Sequence, residues 1–136
     1  MSVISPFEGD WILERVVDDR RAGQTSRFEG RAEVKLEGSG AVLLESGRWV
    51  DGPYRGLGGE RRYLWQADGA RIAVLFDDGR PFHVWDPAQG GDCVPHWCDP
   101  DTYEGHYDLA LPDHWRVTWQ VRGPAKDYRM ETLYRR

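Results

Sequence analysis

The stretch 113–121, "DHWRVTWQV", alternates strictly between two kinds of side chain. Its apolar members are Trp115, Val117, Trp119 and Val121, and its polar members are His114, Arg116, Thr118 and Gln120. Because successive side chains of a β-strand point to opposite faces of the sheet, this alternation predicts a strand with one buried face and one solvated face.

Nine runs rich in Val, Ile, Leu and aromatic residues, this one included, follow one another along the chain. In order they are "DWILERVVDD", "SRFEGRAEVKLE", "GAVLLESGRWV", "ERRYLWQAD", "ARIAVLF", "PFHVWD", "TYEGHYDLAL", "HWRVTWQVRG" and "KDYRMETLYRR". The breaks between them, such as "EGSG" at 37–40 and "DDGR" at 77–80, contain the Gly and Asp residues that hairpin turns require. Sixteen Gly and eight Pro leave few windows long enough for three turns of helix. The sequence therefore predicts an all-β protein built as an antiparallel meander.

An up-and-down β-barrel of about eight to ten strands is the arrangement that we expect, because consecutive hairpins with short links close readily into a barrel and closure removes exposed sheet edges. A β-sandwich is the alternative. At 136 residues the chain is most simply one barrel domain, 1–136, since two smaller domains would each bury little apolar surface.

The composition bears on partners and location. The chain has 18 basic and 23 acidic residues, a net charge of −5 and no separate basic run, so we expect no nucleic-acid partner.

No apolar window approaches the roughly 18 to 20 residues that cross a bilayer, and "MSVISPFEGD" lacks the pattern of a signal peptide. We therefore expect no membrane partner and a cytoplasmic location, where Cys93 and Cys98 are thiols. A homodimer is compatible with the sequence.

Two of the predicted strands have amphipathic faces. Lys126, Tyr128, Met130, Thr132 and Tyr134 share a face of 126–134, and Asp101, Tyr103, Gly105 and Tyr107 share a face of 101–107. A side-chain-filled small barrel is normally lined with Val, Leu and Ile, so these faces predict a lumen that holds a ligand or ordered water.

The two ends of the chain carry a further pattern. Gly9 and Trp11 form a G-x-W arrangement in "FEGDWILERV", and the chain ends in "LYRR". These features resemble the lipocalin and fatty-acid-binding-protein group, the calycins, in which a basic side chain near the last strand packs over the opening Trp. The resemblance implies a calycin-like barrel with a cation–π contact on Trp11.

"RYLW", "LFDDGRPFH" and "PHWCDPDTYEGHY" extend a resemblance over nearly the whole chain to a small bacterial and fungal family of unknown function. That family implies a calycin-like barrel and no particular reaction. Nitrobindin-type barrels are similar in their G-x-W start and hold haem through a late-strand histidine. Because 125–136 contains no His, we expect no haem, and we expect no other cofactor.

The stretch "CVPHWCDPD" contains the possible zinc ligands Cys93, His96, Cys98 and Asp101. Their C-x2-H-x-C-x2-D spacing matches no common zinc module, so we expect a packed corner between strands and no metal site. A Cys98 nucleophile activated by His96 is an alternative that proximity in sequence alone does not support.

Polar and aromatic groups expected to face the lumen form the candidate ligand-binding set: His83, His96, Tyr103, Tyr107, Trp119, Lys126 and Tyr128. Lys126 and Tyr128, two residues apart, resemble the Arg-x-Tyr pair with which fatty-acid-binding proteins hold a carboxylate. The sequence therefore predicts binding of a small, partly apolar, anionic molecule.

Three alternatives to ligand binding stay open. The polar groups could pair with one another, or with Glu45 or Asp101, as a buried network. The lumen could hold an isomerase-, cyclase- or decarboxylase-type enzyme, with His83 or His96 as general base and Tyr103 or Tyr128 as acid. Exposed Trp residues could form a protein-interaction patch.

Overall fold

The computed structural model describes residues 3–89, 93 and 96–136, with the backbone alone for 96–98. The strands are β1 (Gly9–Asp19), β2 (Gln24–Glu37), β3 (Gly40–Trp49), β4 (Gly58–Asp68), β5 (Arg71–Phe76), β6 (Pro81–Trp85), β7 (His96–Cys98), β8 (Asp101–Ala110), β9 (His114–Gly123) and β10 (Lys126–Arg135). Short 3₁₀ turns at Ser5–Phe7 and Pro87–Gln89 are the helical segments of the described residues. Neither turn is long and apolar enough to cross a membrane.

All strand pairs are antiparallel, and the sheet order is β6-β5-β4-β3-β2-β1-β10-β9-β8-β7. Pairing of β1 with β10 makes the first and last strands neighbours in one curled sheet, whose edges among the described residues are β6 and β7. The predicted all-β antiparallel barrel is therefore confirmed. Nine strands correspond to the predicted runs, and the tenth, β7, is a three-residue strand within the segment that we predicted as a corner.

Side chains bridge the barrel wall between β6 and β8. Nε2 of His83 on β6 lies 2.7 Å from the hydroxyl of Tyr107 on β8. The Trp85 and Tyr107 rings stack with centroids 3.7 Å apart. The backbone N–H of Cys93 donates to the Gly105 carbonyl at 3.0 Å, which adds a main-chain contact to the β8 edge.

The 3₁₀ turn before β1 closes one end of the barrel. Phe7 is buried, and its ring centroid lies 5.3 to 5.8 Å from those of Trp65, Trp85 and Trp115. The indole Nε1 of Trp11 donates to the Phe7 carbonyl at 2.9 Å, which ties the turn to the sheet. We call this aromatic end the floor.

The side chain of Arg136 packs against the outer side of the floor. Its guanidinium carbon lies 3.7 Å from the Trp11 ring centroid, so the cation–π contact that the calycin resemblance implies is present. It also donates to the carbonyls of Glu8 at 2.9 Å and Pro112 at 3.0 Å. Because β1 runs away from the floor, the opposite end, where the 50–57 loop lies, is the mouth of the barrel.

Candidate functional site

Two adjoining cavities occupy the lumen. The mouth cavity has a volume of about 190 Å³ and the inner cavity about 40 Å³. Their shared lining residues are Arg61, Tyr63, Phe82, Trp119 and Met130. The inner cavity therefore continues the mouth cavity towards the floor, and a molecule that enters at the mouth can reach both.

Parallel rings form one side of the mouth cavity. Phe76 and Phe82 stack at 4.6 Å with 17° between their planes, and Phe82 and Trp119 stack at 4.9 Å with 20°. We call these three residues the aromatic wall. A Cβ at Gly105 would lie 2.6 Å from the Trp119 ring, so a glycine on β8 is what leaves room for this indole. Tyr103 meets Phe82 edge-on at 6.0 Å.

A strand irregularity brings two consecutive side chains to the lumen. The β5–β6 register shifts between Val74 and Leu75. A shift of this kind breaks the strict alternation of faces. As a result Phe82 and His83, neighbours in sequence, both line the inner cavity.

A buried ion pair lines the inner cavity. Nη2 of Arg15 donates to Oε1 of Glu45 at 2.8 Å, and Nε of Arg15 donates to Oγ1 of Thr132 at 2.8 Å. The Tyr134 hydroxyl donates to the other Glu45 oxygen. Burial opposes the charge on Arg15, but Glu45, with smaller contributions from Tyr134 and Tyr63, more than offsets burial and raises the guanidinium pKa above its ordinary value. The opposite charges balance, which leaves the base of the lumen polar with no net charge.

His83 and Tyr107 form a second buried polar pair beside the inner cavity. Their side chains are 2.7 Å apart, and the His83 ring also meets Trp119 at 4.8 Å. Burial raises the pKa of Tyr107 well above its ordinary value. The phenol therefore stays protonated near neutral pH and can donate its hydrogen to Nε2 of His83.

Arg61 on β4 is the cation that faces the mouth. Its side chain lines both cavities, and Nη1 lies 3.3 Å from the Tyr63 hydroxyl. Among the described residues no carboxylate forms an ion pair with it. The next residue, Arg62, is instead paired with Asp77 at 3.1 Å. Arg61 is thus a positive charge at the lumen entrance that the described part of the protein does not balance.

The structure gathers most of the sequence-predicted set. Tyr103 and Tyr128 line the mouth cavity, His83 and Tyr107 line the inner cavity, and Trp119 lines both. Burial raises the pKa of Tyr128 and keeps this phenol neutral as well. The side chain of His96 lies outside the described residues.

Lys126 lies apart from both cavity linings. It is exposed, and its Nζ is 2.9 Å from Oδ2 of Asp101. The hydrogen bond to Asp101 raises the lysine pKa and holds the charge in a pair on the rim. The sequence predicted Lys126 as the cation of the lumen, but the cation that lines the cavities is Arg61 on β4.

Of the four possible zinc ligands, the structure describes the side chains of Cys93 and Asp101. Asp101 is engaged by Lys126, Cys93 is buried, and the side chain of Cys98 lies outside the described residues. Within the described residues no group of three or more His, Cys, Asp or Glu side chains is placed to hold a metal ion.

Sequence reasoning missed Arg15 and Arg61 as lumen residues, whereas Tyr134 lies on the face of 126–134 that was predicted to line the lumen. Arg15 continues the inward series of Trp11 and Leu13 on β1, so the two-residue period contained the signal. A charged residue on an otherwise apolar face points to a buried partner, and this partner is Glu45.

Solved structures with a similar fold include two barrels of low sequence identity. A redesigned β-barrel, mFAP1, bound to DFHBI shares 11% identity with this chain over 100% of both chains, with a TM-score of 0.55. The S-type phycobiliprotein lyase CPES from Guillardia theta shares 12% identity over 98% of this chain and 90% of its own, with a TM-score of 0.68. At this level of identity the likeness extends to the fold alone.

No curated protein matches the chain. A family model does match, and it covers residues 7–136, which include every strand of the barrel. The chain belongs to DUF6314, a family of unknown function.

Proposed function

We propose that the protein binds a small, partly apolar, anionic molecule in the barrel lumen. The observation that carries the proposal is Arg61, a guanidinium at the entrance of an aromatic cavity with no ion-pair partner among the described residues. A lumen ligand also agrees with the mFAP1 barrel, which has a similar fold and binds DFHBI.

The charges of the other lumen and rim groups support an anion. Arg15 is balanced by Glu45, and Lys126 is balanced by Asp101. An entering anion would meet Arg61 as its unbalanced partner. Hydrogen bonds to a charged group contribute about 1.5–3 kcal/mol when buried, and solvent at the open mouth reduces this to about 1 kcal/mol.

The test compares acids with amides of the same shape. Amide NMR titrations of the labelled protein would measure the affinities of benzoate and benzamide, and of hexanoate and hexanamide. We expect each acid to bind about three- to tenfold more tightly than its amide, following the roughly 1 kcal/mol above. Arg61→Gln should remove this preference and leave amide binding unchanged.

Arg62→Gln is the matched control, because it removes the same charge from the adjacent residue, which is paired with Asp77 and does not line the lumen cavities. It should keep the preference for acids. Val121→Trp, which fills the mouth cavity, should abolish binding of all four probes. Equal affinity for acids and amides in the unmodified protein would contradict the proposal.

An enzyme in the same lumen is the second candidate, and the 2.7 Å contact between His83 and Tyr107 favours it. In this version the Tyr107 hydroxyl turns from Nε2 of His83 to a carbonyl oxygen of the substrate, which frees Nε2 to remove a proton from carbon. Acetophenone in D₂O tests the pair, since removal of a methyl proton gives an enolate that takes up deuterium on return to the ketone. Exchange at the same rate with His83→Ala as with the unmodified protein would exclude this chemistry.

A further inference from the structure

We infer that the ligand is a planar, single-ring aromatic acid, with its ring against the aromatic wall and its acid group on Arg61. This inference rests on the proposed function and names the chemical class of its ligand. It depends on three features of the mouth cavity: the shape of its wall, its volume and the position of its cation.

The shape of the wall favours a flat ligand. Phe76, Phe82 and Trp119 are near-parallel rings stacked with neighbouring centroids 4.6 and 4.9 Å apart, so the stack presents ring edges to the cavity. The flat face of an aromatic ligand can lie against these edges, and edge-to-face contacts are favourable beyond the area that the ring buries. A flexible alkyl chain does not gain this aromatic contribution and loses rotamer freedom when it binds.

The volume of the cavity sets the size of the ring system. An apolar protein cavity of roughly 150 Å³ is known to hold benzene. The mouth cavity, at about 190 Å³, has room for one six-membered ring with a small substituent. A second fused ring would have to extend into solvent, because the inner cavity below adds only about 40 Å³.

The polar groups define the substituent and its position. Arg61 lines the cavity together with the aromatic wall, so a carboxylate attached directly to the ring, or through one carbon, lies within its reach. The phenol of Tyr128 is partly buried and has a raised pKa, so it remains a neutral hydrogen-bond donor at the same mouth. A guanidinium and a neutral phenol together suit a carboxylate, which accepts hydrogen bonds at both oxygens.

The test ranks acids that differ in one property at a time, by amide NMR titration of the full chain. Benzoate and cyclohexanecarboxylate have the same charge and ring size, and only benzoate is planar. Hexanoate has the charge without a ring. We expect benzoate to bind about three- to tenfold more tightly than either of the other acids, as an edge-to-face aromatic contact implies.

Substitutions test which residues cause the preference for benzoate. Phe82→Leu should reduce benzoate binding to that of cyclohexanecarboxylate and leave the affinity for the saturated acid nearly unchanged. Tyr54→Leu is the control, since this exposed aromatic residue lies on the 50–57 loop and does not line either lumen cavity. It should leave the ranking of the acids unaltered.

The outcomes separate this inference from the proposed function. If cyclohexanecarboxylate or hexanoate binds as tightly as benzoate, and each acid still exceeds its amide, the anion-binding function stands and the aromatic assignment is overturned. If no acid exceeds its amide, the proposed function fails and the assignment fails with it. A preference for benzoate that survives Phe82→Leu would also overturn the inference, because the aromatic wall would not be its source.

Discussion

Replacing Glu45 with glutamine should strongly destabilise the fold. The substitution keeps the shape of the side chain and removes its charge, which leaves Arg15 buried without a counter-ion. Arg15 is 7% exposed and Glu45 is 3% exposed, so water cannot readily replace the lost partner. Removing one member of a buried ion pair typically costs about 3–5 kcal/mol.

Other hydrogen bonds of Arg15 and Glu45 also affect the expected loss in the free energy of unfolding. Arg15 keeps its hydrogen bond to Thr132, so the stability lost by leaving Arg15 without a counter-ion should lie near the lower end of this range. The Tyr134 hydroxyl, however, donates to Glu45 and would face an amide nitrogen or lose its acceptor, at a cost of about 1 kcal/mol. We therefore expect a total loss of about 3–5 kcal/mol in the free energy of unfolding.

Urea denaturation followed by tryptophan fluorescence measures this loss. With a denaturant slope of about 2 kcal/mol/M, the midpoint should fall by about 1.5 to 2.5 M. Glu14→Gln is the matched control, because Glu14 also lies on the sheet and pairs with Arg135 at 3.1 Å, but both side chains are nearly half exposed. It should change the free energy of unfolding by no more than about 1 kcal/mol.

A double variant, Arg15→Met with Glu45→Leu, separates the cost of an unpaired charge from the loss of packing. Replacing a whole buried pair by apolar residues of similar size is often neutral. The double variant should therefore be more stable than Glu45→Gln. The reasoning fails if Glu45→Gln unfolds within about 0.5 kcal/mol of the unmodified protein, or if the double variant is the less stable of the two.

Three further outcomes follow from other parts of the barrel. Gly105→Ala should displace the Trp119 indole, since the added Cβ would lie 2.6 Å from the ring, and NMR titration should show weaker benzoate binding. Because Trp119 is buried, the free energy of unfolding should also fall by about 1–3 kcal/mol. Arg136→Ala should lower the free energy of unfolding, measured in urea, by about 2–3 kcal/mol, because it removes a cation–π contact and hydrogen bonds to backbone carbonyls. Arg135→Ala is the control: it loses one exposed ion pair and should lower the free energy of unfolding by less than about 1 kcal/mol. Because the pKa of Tyr107 is higher in the folded than in the unfolded protein, its protonated form stabilises the fold fully below about pH 10, and this stabilisation is lost as the pH rises through the folded-state pKa. The urea midpoint should therefore fall above about pH 10. It should fall less steeply in Tyr107→Phe, which has no phenol to ionise.

The barrel was predictable because its strands alternate. The inward series on β9 reads directly from 113–121, and all four of its apolar residues are buried. The short β7 was not predictable in the same way. It has three residues next to turn-forming Asp99 and Pro100, too few for a two-residue period to be recognised.

The site was harder to predict because it depends on pairing across strands. Sequence spacing indicated that Lys126 and Tyr128 share a face, but it carries no information that Asp101 on β8 binds the lysine. Equally, Arg61 and Arg62 are adjacent and chemically identical in sequence. Only the register of the sheet shows that Arg62 pairs with Asp77 while Arg61 lines the lumen.

The buried pair of Arg15 and Glu45 has a consequence for the ligand as well as for stability. Such a pair contributes little net stability compared with well-packed apolar residues, so its stabilising effect does not by itself account for its position. In this barrel it fixes Tyr134, whose ring stacks on Trp115 at 3.9 Å and forms part of the cavity lining. The base of the lumen is thereby polar and without net charge. The anionic ligand that we propose would therefore be oriented by Arg61 at the mouth, and its apolar part would contact the aromatic wall.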